Sequence, residues 1–363
     1  MWSDPSPAKR GNPFANPGAE EVAAATSSPL HITYLLPNLD IGGGQRVAME
    51  HVNLLHRRGH DAALFGLNKQ PTWFPLEAPF RVFAGKEELV QELSLRPGMK
   101  VATWWETAPL VLAACKPRGI PVYFVQDIES SYFIGDPITQ TSVIQTYSAD
   151  FHYLTTSPWL AQWLEKALGH RAAVVSPAID HAVFHPRDLP RAKDLICAIH
   201  RPEPLKNFEL TRFAFRQLRV PARMISFGHY SINEPGVTFL PSPSDEQVAE
   251  IYNAATLFIQ TSIHEGFCLP VLEAMACGCP VVTTDADGNM AFCKDGENCL
   301  IVPQHDAALV ARVVERLLAD TALQERLRQG GLKTAREFTW EEAGDKLEAF
   351  YRSVAASAQK EAK

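Results

Sequence analysis

The sequence has no excess of positive charge and no long apolar segment. Its 363 residues include 34 Lys and Arg against 41 Asp and Glu, so the formal net charge is -7. A nucleic-acid binder normally presents a basic face, so the charge argues against nucleic acid as a partner. No run approaches the roughly 20 apolar residues of a membrane-spanning helix, and the N-terminus lacks the basic, then apolar layout of a secretory signal. We therefore expect a cytoplasmic protein.

The sequence also lacks the paired cysteines of a zinc site. Five of its seven cysteines lie between positions 268 and 299, but none forms a Cys-x-x-Cys pair. Cys277 and Cys279 lie where an apolar helix is predicted to lead into an apolar strand, which favours buried thiols. The segment Asp285-Ala-Asp287 resembles a metal-binding Asp-x-Asp pattern, but it follows a predicted strand in a turn, where Asp is common for local reasons. We expect no metal.

What the sequence does contain is an alternation of short apolar runs and amphipathic helical segments. This alternation predicts mostly parallel sheets with helices on both faces, an α/β class, and the length suggests two domains. Residues 176–192 carry three prolines and interrupt the alternation, as an interdomain linker does. The predicted domains are 29–188 and 189–337. Residues 1–28 have no periodicity and predict a disordered tail.

The apolar periodicity also predicts the individual elements. Strands are predicted over 31–36, 61–67, 81–83, 100–103, 121–125, 152–155 and 172–175, and in the second domain over 194–199, 223–227, 237–240, 256–260, 280–283 and 299–302. Helices are predicted over 45–58, 137–148, 158–168, 207–218 and 245–253, with another from residue 270 and helices to the end.

Two loops at predicted strand ends carry candidate ligand-binding residues, because ligands of open α/β sheets bind at the carboxyl ends of the strands. The glycines at 42–44 precede a helix, and such a helix start suits an anion, although a simple turn is the alternative. They are not a dinucleotide fingerprint, because Val47 stands where its third glycine is needed. After the first strand of the second domain, Arg201 and Lys206 are either a cationic clamp for a diphosphate or two surface cations.

A third loop, within residues 262–282, carries the most specific signal. Gly266 permits a tight turn, and Pro270 suits the first position of a helix. The backbone amides around Cys268 and Leu269 are then available to phosphate oxygens, with the helix dipole assisting. This segment predicts a phosphate site.

Two carboxylates, Glu265 and Glu273, flank that helix start. Carboxylates beside a phosphate seem unfavourable because like charges repel. They are explained if they accept hydrogen bonds from hydroxyl groups, which a nucleotide sugar carries on both sides of its diphosphate. The alternative is a helix cap and a surface residue, which leaves the apolar surroundings unexplained.

Segment 262–282 resembles the EGFxLPxLEAMAxGxPVV region of retaining, two-domain glycosyltransferases of family 4, whose E-x7-E pair corresponds to Glu265 and Glu273. The likeness extends over nearly everything from residue 30 to 355. It implies a GT-B fold, in which two doubly wound Rossmann-like domains face a central cleft. It further implies that a C-terminal helix over 338–358 crosses back to the first domain.

The resemblance also implies roles for the candidate residues. Glu265 is expected to bind sugar hydroxyls and Glu273 the ribose, and no metal or other cofactor is implied because the cations and the helix start stabilise the leaving diphosphate. Retention of configuration is expected, with the leaving phosphate helping to accept the acceptor's proton. The implied donor-binding residues are Gly43, Gly44, Glu265, Gly266, Phe267, Cys268, Leu269 and Glu273. The catalytic candidates are Arg201, Lys206, Glu265, Gln126 and Asp127.

One departure from the family pattern follows the strand at 121–125. Many members carry a histidine there, whereas this chain has Gln126, whose carboxamide cannot act as a base. Asp127 is then a candidate to orient Gln126 or the acceptor. The Gln-Asp pair, with Glu129 close behind, is similar to bacterial rhamnosyltransferases of surface-glycan assembly. This favours dTDP-rhamnose as donor, with UDP- and GDP-sugars left open, and a glycan or lipid-linked acceptor reached by peripheral contact at the inner face of the membrane.

The acceptor side and the reaction keep alternatives. Trp104 and Trp105 either stack on an acceptor sugar or belong to the core. A nucleotide-sugar 2-epimerase of the same fold and a non-catalytic sugar-nucleotide binder are the competing functions. A dinucleotide oxidoreductase is disfavoured by Val47.

Overall fold

The computed structural model describes residues 28–38, 41–67, 72–116 and 118–361. Of the tail predicted over residues 1–28, all but Ser28 lie outside the described residues. Within the described ranges the strands form one seven-stranded and one six-stranded sheet.

The first sheet has the strand order β3-β2-β1-β4-β5-β6-β7. Every neighbouring pair is parallel, and parallel strands covered on both faces read as continuous apolar runs in a sequence. The strands are β1 (His31–Leu36), β2 (Asp61–Leu67), β3 (Phe80–Phe83), β4 (Met99–Ala102), β5 (Ile120–Val125), β6 (His152–Thr155) and β7 (Ala172–Val174). The helices are α1 (Gly43–Arg57), α2 (Lys86–Leu95), α3 (Ala108–Cys115), α4 (Pro137–Thr146) and α5 (Pro158–Leu168).

The second sheet repeats the same order one domain later, as β10-β9-β8-β11-β12-β13, again with parallel neighbours. In both sheets the order reverses beside the first strand, which is the point where doubly wound folds bind ligands. The strands are β8 (Leu195–Ile199), β9 (Arg223–Gly228), β10 (Val237–Pro241), β11 (Leu257–Gln260), β12 (Val281–Thr284) and β13 (Leu300–Val302). The helices are α6 (Phe208–Arg216), α7 (Asp245–Ala254), α8 (Leu269–Ala276), α9 (Ala307–Ala319), α10 (Thr321–Ala335) and α11 (Trp340–Glu361).

Helix α11 returns to the first domain, as the resemblance implies. Its Leu347 and Tyr351 are fully buried in the core of the first sheet. The hydroxyl of Tyr351 donates to that of Tyr34 on β1 over 2.7 Å, and Asp345 lies 2.8 Å from the guanidinium of Arg58. The C-terminal helix is therefore packed against β1 and the end of α1 in the first domain.

Helix α1 begins earlier than predicted. The sequence predicted a glycine loop up to residue 44 and a helix from Gln45, but the helix begins at Gly43. Gly42 is extended and precedes the first turn, and its carbonyl accepts the amide of Arg46. Gly43 and Gly44 therefore lie in the helix start itself.

Two global expectations can be checked against the fold. All seven cysteines are free, and all but Cys115 are buried, as the predicted thiols require. Among the described helices, none is long and apolar enough to cross a membrane.

Candidate active site

A cavity of about 540 Å³ lies between the two domains. Its walls come from the loops after β1, β4 and β5 of the first sheet, and from those after β8 and β11 together with the start of α8. Every predicted site residue lines this cavity, whereas their individual roles stay predictions. These residues are Gly43, Gly44, Gln126, Asp127, Arg201, Lys206, Glu265, Gly266, Phe267, Cys268, Leu269 and Glu273.

Lys206 and Glu265 form a partly buried ion pair in this cavity. The Lys206 ammonium donates to Glu265 Oε2 over 2.8 Å, and the hydroxyl of Ser262 donates to the other carboxylate oxygen over 2.7 Å. Burial opposes the charge on Lys206, but the carboxylates of Glu265 and Asp127 outweigh it and raise the pKa of Lys206. Lys206 is therefore a positive charge held beside the Glu265 carboxylate, which can accept hydrogen bonds from hydroxyl groups.

The start of α8 faces the cavity as the motif predicted. Cys268 has φ +75° and precedes the helix, and Pro270 occupies its first turn. Amides at a helix start have no acceptor within the helix. Cys268 and Leu269 both line the cavity, so this helix start is suited to an anion.

Glu273 follows one turn later and sits in a different environment from Glu265. Burial raises the pKa of Glu273 to about 7, and the charge of Arg46 offsets only part of the effect. Arg46 belongs to α1 of the first domain, and its guanidinium binds both oxygens of Asp245 at 2.6 and 2.8 Å. Because Asp245 opens α7 of the second domain, this bidentate pair bridges the cleft.

The backbones of the two domains touch at Gly266. A Cβ added there would collide with the carbonyl oxygen of Gln126 in the first domain. The hydroxyl of Thr156 lies 3.4 Å from the carbonyl oxygens of both residues. The glycine of the motif is therefore required by a close approach between the two domains.

Asp127 does not orient Gln126, which corrects one of the two roles predicted for it. Asp127 Oδ1 instead lies 2.5 Å from Nε2 of His264, in the second domain. Its other oxygen accepts the hydroxyl of Tyr132 over 2.6 Å. The amide of Gln126 lies at the helix start of the first domain, where a Cβ on Gly44 would come within 3.2 Å of its nitrogen.

His264 is the residue that sequence reasoning missed. It stands one position before Glu265, and its Nδ1 lies 2.6 Å from Oδ2 of Asp287. Burial favours the neutral ring, but Asp127 and Asp287 outweigh it and raise the pKa of His264 to about 9. The only sequence signal was an unassigned polar residue inside the motif, since Asp127 lies 137 positions away.

The Asp285-Ala-Asp287 segment lies between β12 and a short 3-10 helix at Gly288–Ala291, and its two carboxylates have different partners. Asp287 has φ +59° and pairs with His264. The carboxylate of Asp285 accepts the side-chain amide of Gln304 over 3.2 Å. Asp287 is thus a partner of His264, whereas Asp285 contacts the loop residue Gln304.

The two tryptophans divide between the two alternatives. Trp104 lines the cavity and meets the ring of Tyr132 edge-on, with centroids 5.8 Å apart. Trp105 packs on the core of the first domain beside Phe133. Of these two tryptophans, Trp104 is the one positioned to contact a ligand.

Comparison with known proteins finds one family model that matches the second domain. Residues 186–334 match the model of the family described as glycosyl transferases group 1. This segment contains Arg201, Lys206 and the pair Glu265 and Glu273.

Curated relatives agree with that match. A D-inositol 3-phosphate glycosyltransferase of Acidothermus cellulolyticus is 30% identical over 219 residues, which cover 51% of this chain and 49% of the relative. The O-antigen biosynthesis protein RfbC of Myxococcus xanthus is 28% identical over 330 residues, which cover 84% of this chain and 25% of the relative. The chain thus spans half or less of the length of these relatives.

Solved structures establish the fold over both domains. Sucrose-phosphate synthase from Thermosynechococcus elongatus superposes with a TM-score of 0.77 at 18% identity, covering 90% of this chain and 100% of that one. Anabaena Alr3699/HepE, solved with UDP-glucose, gives a TM-score of 0.75 at 16% identity, covering 91% and 99%. WaaG, a glycosyltransferase involved in lipopolysaccharide biosynthesis, gives 0.68 at 15%, covering 87% and 99%. The chain has the GT-B fold.

Proposed function

We propose that this protein is a glycosyltransferase that moves a sugar from a nucleotide diphosphate donor to a glycan or lipid-linked acceptor. The observation that carries the proposal is the composition of the cavity wall on the side of the second domain. There a fixed cation, a helix start and two carboxylates stand together, which matches a ligand with a diphosphate between two hydroxyl-bearing groups. The family match over residues 186–334 supports the same activity.

In this proposal the donor lies along the start of α8. Arg201, Lys206 and the amides near Cys268 neutralise the diphosphate, with Gly43 and Gly44 close to it from the other domain. Glu265 accepts hydroxyls of the sugar, and Glu273 accepts those of the ribose. The roles of Gly266, Phe267 and Leu269 are to shape this wall.

The chemistry in this proposal is stabilisation of the leaving group. As the bond from the sugar to the diphosphate breaks, negative charge grows on the phosphate oxygen, and preorganised cations and amides stabilise it most at that moment. These groups supply the positive charge without a metal. We propose retention of configuration, with the departing phosphate accepting the proton of the acceptor hydroxyl.

The proposed sugar is rhamnose carried by dTDP. The support is the pair Gln126 and Asp127 followed by Glu129, together with the relative RfbC, whose name refers to O-antigen biosynthesis and which aligns over 84% of this chain. Gln126 offers a neutral amide to the sugar. Trp104 and Asp127 face the acceptor side of the cavity, which suits a glycan acceptor.

A ligand panel tests the donor first. A ligand that binds only the folded state raises the melting temperature as its concentration rises. We expect dTDP, UDP or GDP to raise it, and turnover to be fastest with dTDP-rhamnose. Turnover only with UDP-glucose would end the rhamnose proposal, and an epimer formed without acceptor would indicate an epimerase. If no nucleotide shifts the melting temperature, the glycosyltransferase proposal fails.

Replacement of Lys206 tests the leaving-group role. Removing one such group from an active site lowers turnover by about 10² to 10³-fold, and we expect Lys206→Ala to fall in this range. Lys346→Ala is the matched control, because Lys346 is an exposed lysine on α11 with a side-chain exposure of 54%. Unchanged turnover in Lys206→Ala would assign the leaving-group role elsewhere.

A further inference from the structure

His264 is placed between two carboxylates that belong to different domains. Asp127 follows β5 of the first sheet, whereas His264 and Asp287 follow β11 and β12 of the second. Each ring nitrogen lies within hydrogen-bond distance of one carboxylate, at 2.5 Å from Asp127 and 2.6 Å from Asp287. Carboxylates only accept when ionised, so both nitrogens must donate and the ring must carry a proton on each. With both carboxylates ionised, this geometry requires an imidazolium.

The imidazolium is enclosed on every side. His264 is only 7% exposed, and the indole of Trp159 lies against its ring with centroids 5.2 Å apart. The charged groups around it are the two carboxylates it binds. Lys206 and the Tyr132 hydroxyl both act on Asp127, and Tyr132 donates a hydrogen bond to it.

This cluster is tied to the loop that carries Glu265. The amide of Glu265 donates to the carbonyl of Ala286 over 3.1 Å, and the amide of Gly288 donates to the carbonyl of Glu265 over 2.9 Å. The loops of His264 and Asp287 are thus joined by two backbone hydrogen bonds. Directly beside them, Gly266 packs on the backbone of Gln126 with no room for a Cβ.

His264 does not line the cavity among the residues described, whereas Asp127 and Glu265 both do. Its influence on a ligand must pass through these two carboxylates. We propose that His264 is a positioning residue: as an imidazolium it ties Asp127 of the first domain to the Glu265 loop of the second, closes the cleft, and sets both carboxylates at the reacting end of the cavity. The catalytic part rests on the proposed glycosyltransferase function, whereas the closure does not.

Two replacements separate the two hydrogen bonds of His264. The side-chain nitrogen of Gln reaches where Nε2 lies, so His264→Gln keeps a donor for Asp127. The nitrogen of Asn reaches where Nδ1 lies, so His264→Asn keeps only the donor for Asp287. Because breaking a buried charge pair is expensive, we expect turnover to fall about tenfold in His264→Gln and about a hundredfold in His264→Asn.

The pH profile supplies a readout that a merely structural residue would not move. Both bonds exist while the ring is protonated, and as pH rises through about 9 the neutral ring keeps one N–H and so loses one of the two bonds. Wild-type turnover should fall through that value. His264→Gln cannot titrate and should lack this limb. Equal turnover in the two variants, or an unchanged alkaline limb in His264→Gln, would overturn the positioning role.

Two measurements need no substrate. A ¹⁵N-histidine NMR titration should show the His264 ring charged up to about pH 9, and Asp127→Asn should bring its pKa down. Small-angle X-ray scattering should give a larger radius of gyration for His264→Asn, and for wild type above that pH. If wild type transfers no sugar but still opens in this way, the proposed function fails and the closure stands. An ordinary histidine pKa with no change in radius would refute the closure, and thermal unfolding verifies that each variant is folded.

Discussion

At the scale of single residues, Glu273 is a carboxyl group whose surroundings oppose its charge. Burial raises the pKa of Glu273 from 4.5 to about 7. Between these values the folded protein binds more protons than the unfolded chain, so its stability falls as pH rises from 4.5 to about 7 and then levels off. Against Glu273→Gln, we expect the wild-type free energy of unfolding to fall by about 3 kcal/mol across this window.

Urea denaturation at several pH values across the window measures that difference. Glu106→Gln is the control, because the side chain of Glu106 is exposed to solvent. If the stabilities of wild type and Glu273→Gln run parallel with pH, burial does not control this carboxyl.

Gly266 is the residue where an added methyl group would collide with the other domain across the cleft. The collision with the Gln126 carbonyl involves backbone on both sides, so neither side can rotate away. Overpacking of this kind costs about 1 to 3 kcal/mol, which opposes closure and should lower turnover by about 5 to 150-fold. Gly85→Ala is the control, because a Cβ there meets only a side-chain oxygen at 3.6 Å. Wild-type turnover in Gly266→Ala would show that closure does not require this contact.

The residues of the site were easiest to predict where one segment contains the whole signal. Glu265, Gly266 and Glu273 belong to one strand–turn–helix segment, so their spacing alone places them at one helix start. His264 lies in that segment too, but its meaning depends on Asp127, which the fold brings from another domain. Because His264 lies 137 positions from Asp127 in the sequence, the sequence suggested the adjacent Gln126 as the partner of Asp127 instead.

At the scale of elements, α11 is a helix of the second half of the chain that stabilises the first domain. Leu347 is fully buried in the first core. Truncating a buried leucine to alanine costs about 2 to 5 kcal/mol, so Leu347→Ala should destabilise the first domain by that amount in urea denaturation. Lys346→Ala on the neighbouring position should change stability by less than about 0.5 kcal/mol, because its ion pair with Glu342 is exposed. Equal stability of the two variants would mean that α11 is not part of the core.

Elements with local start and stop signals were predicted well. Helix α5 has the predicted bounds because Ser157 accepts the amide of Leu160 at its start, and Gly169 ends it with φ +77°. Helix α1 was predicted two residues late because glycines lack a periodic signal, and its first turn is set by Gly42 in an extended conformation. Apolar runs predicted the strands because both faces of a parallel sheet are covered.

At the scale of the whole molecule, two ionic contacts of different character bridge the cleft among the residues that the structure describes. Asp127 and His264 form a buried contact beside Gly266, whereas Arg46 and Asp245 form a partly exposed one. The fold class followed from the alternation of elements, and both sheets have the predicted doubly wound order. The alternation could not predict how closely the two domains approach each other. That approach depends on side chains that meet only after both domains have folded.

The exposed contact can be isolated by a double-mutant cycle. Arg46 and Asp245 have side-chain exposures of 26% and 42%, so we expect a coupling of about 1 kcal/mol at low salt that is largely lost at about 1 M salt. The readout is the calorimetric affinity for the tightest binder among dTDP, UDP and GDP, measured for Arg46→Met, Asp245→Asn and the double variant. Arg57 and Glu77 are the control pair, at 2.8 Å within one domain, and should show no coupling in affinity. Since a nucleotide held by both domains binds the closed form, absence of coupling between Arg46 and Asp245 at low salt would mean that closure is independent of this pair.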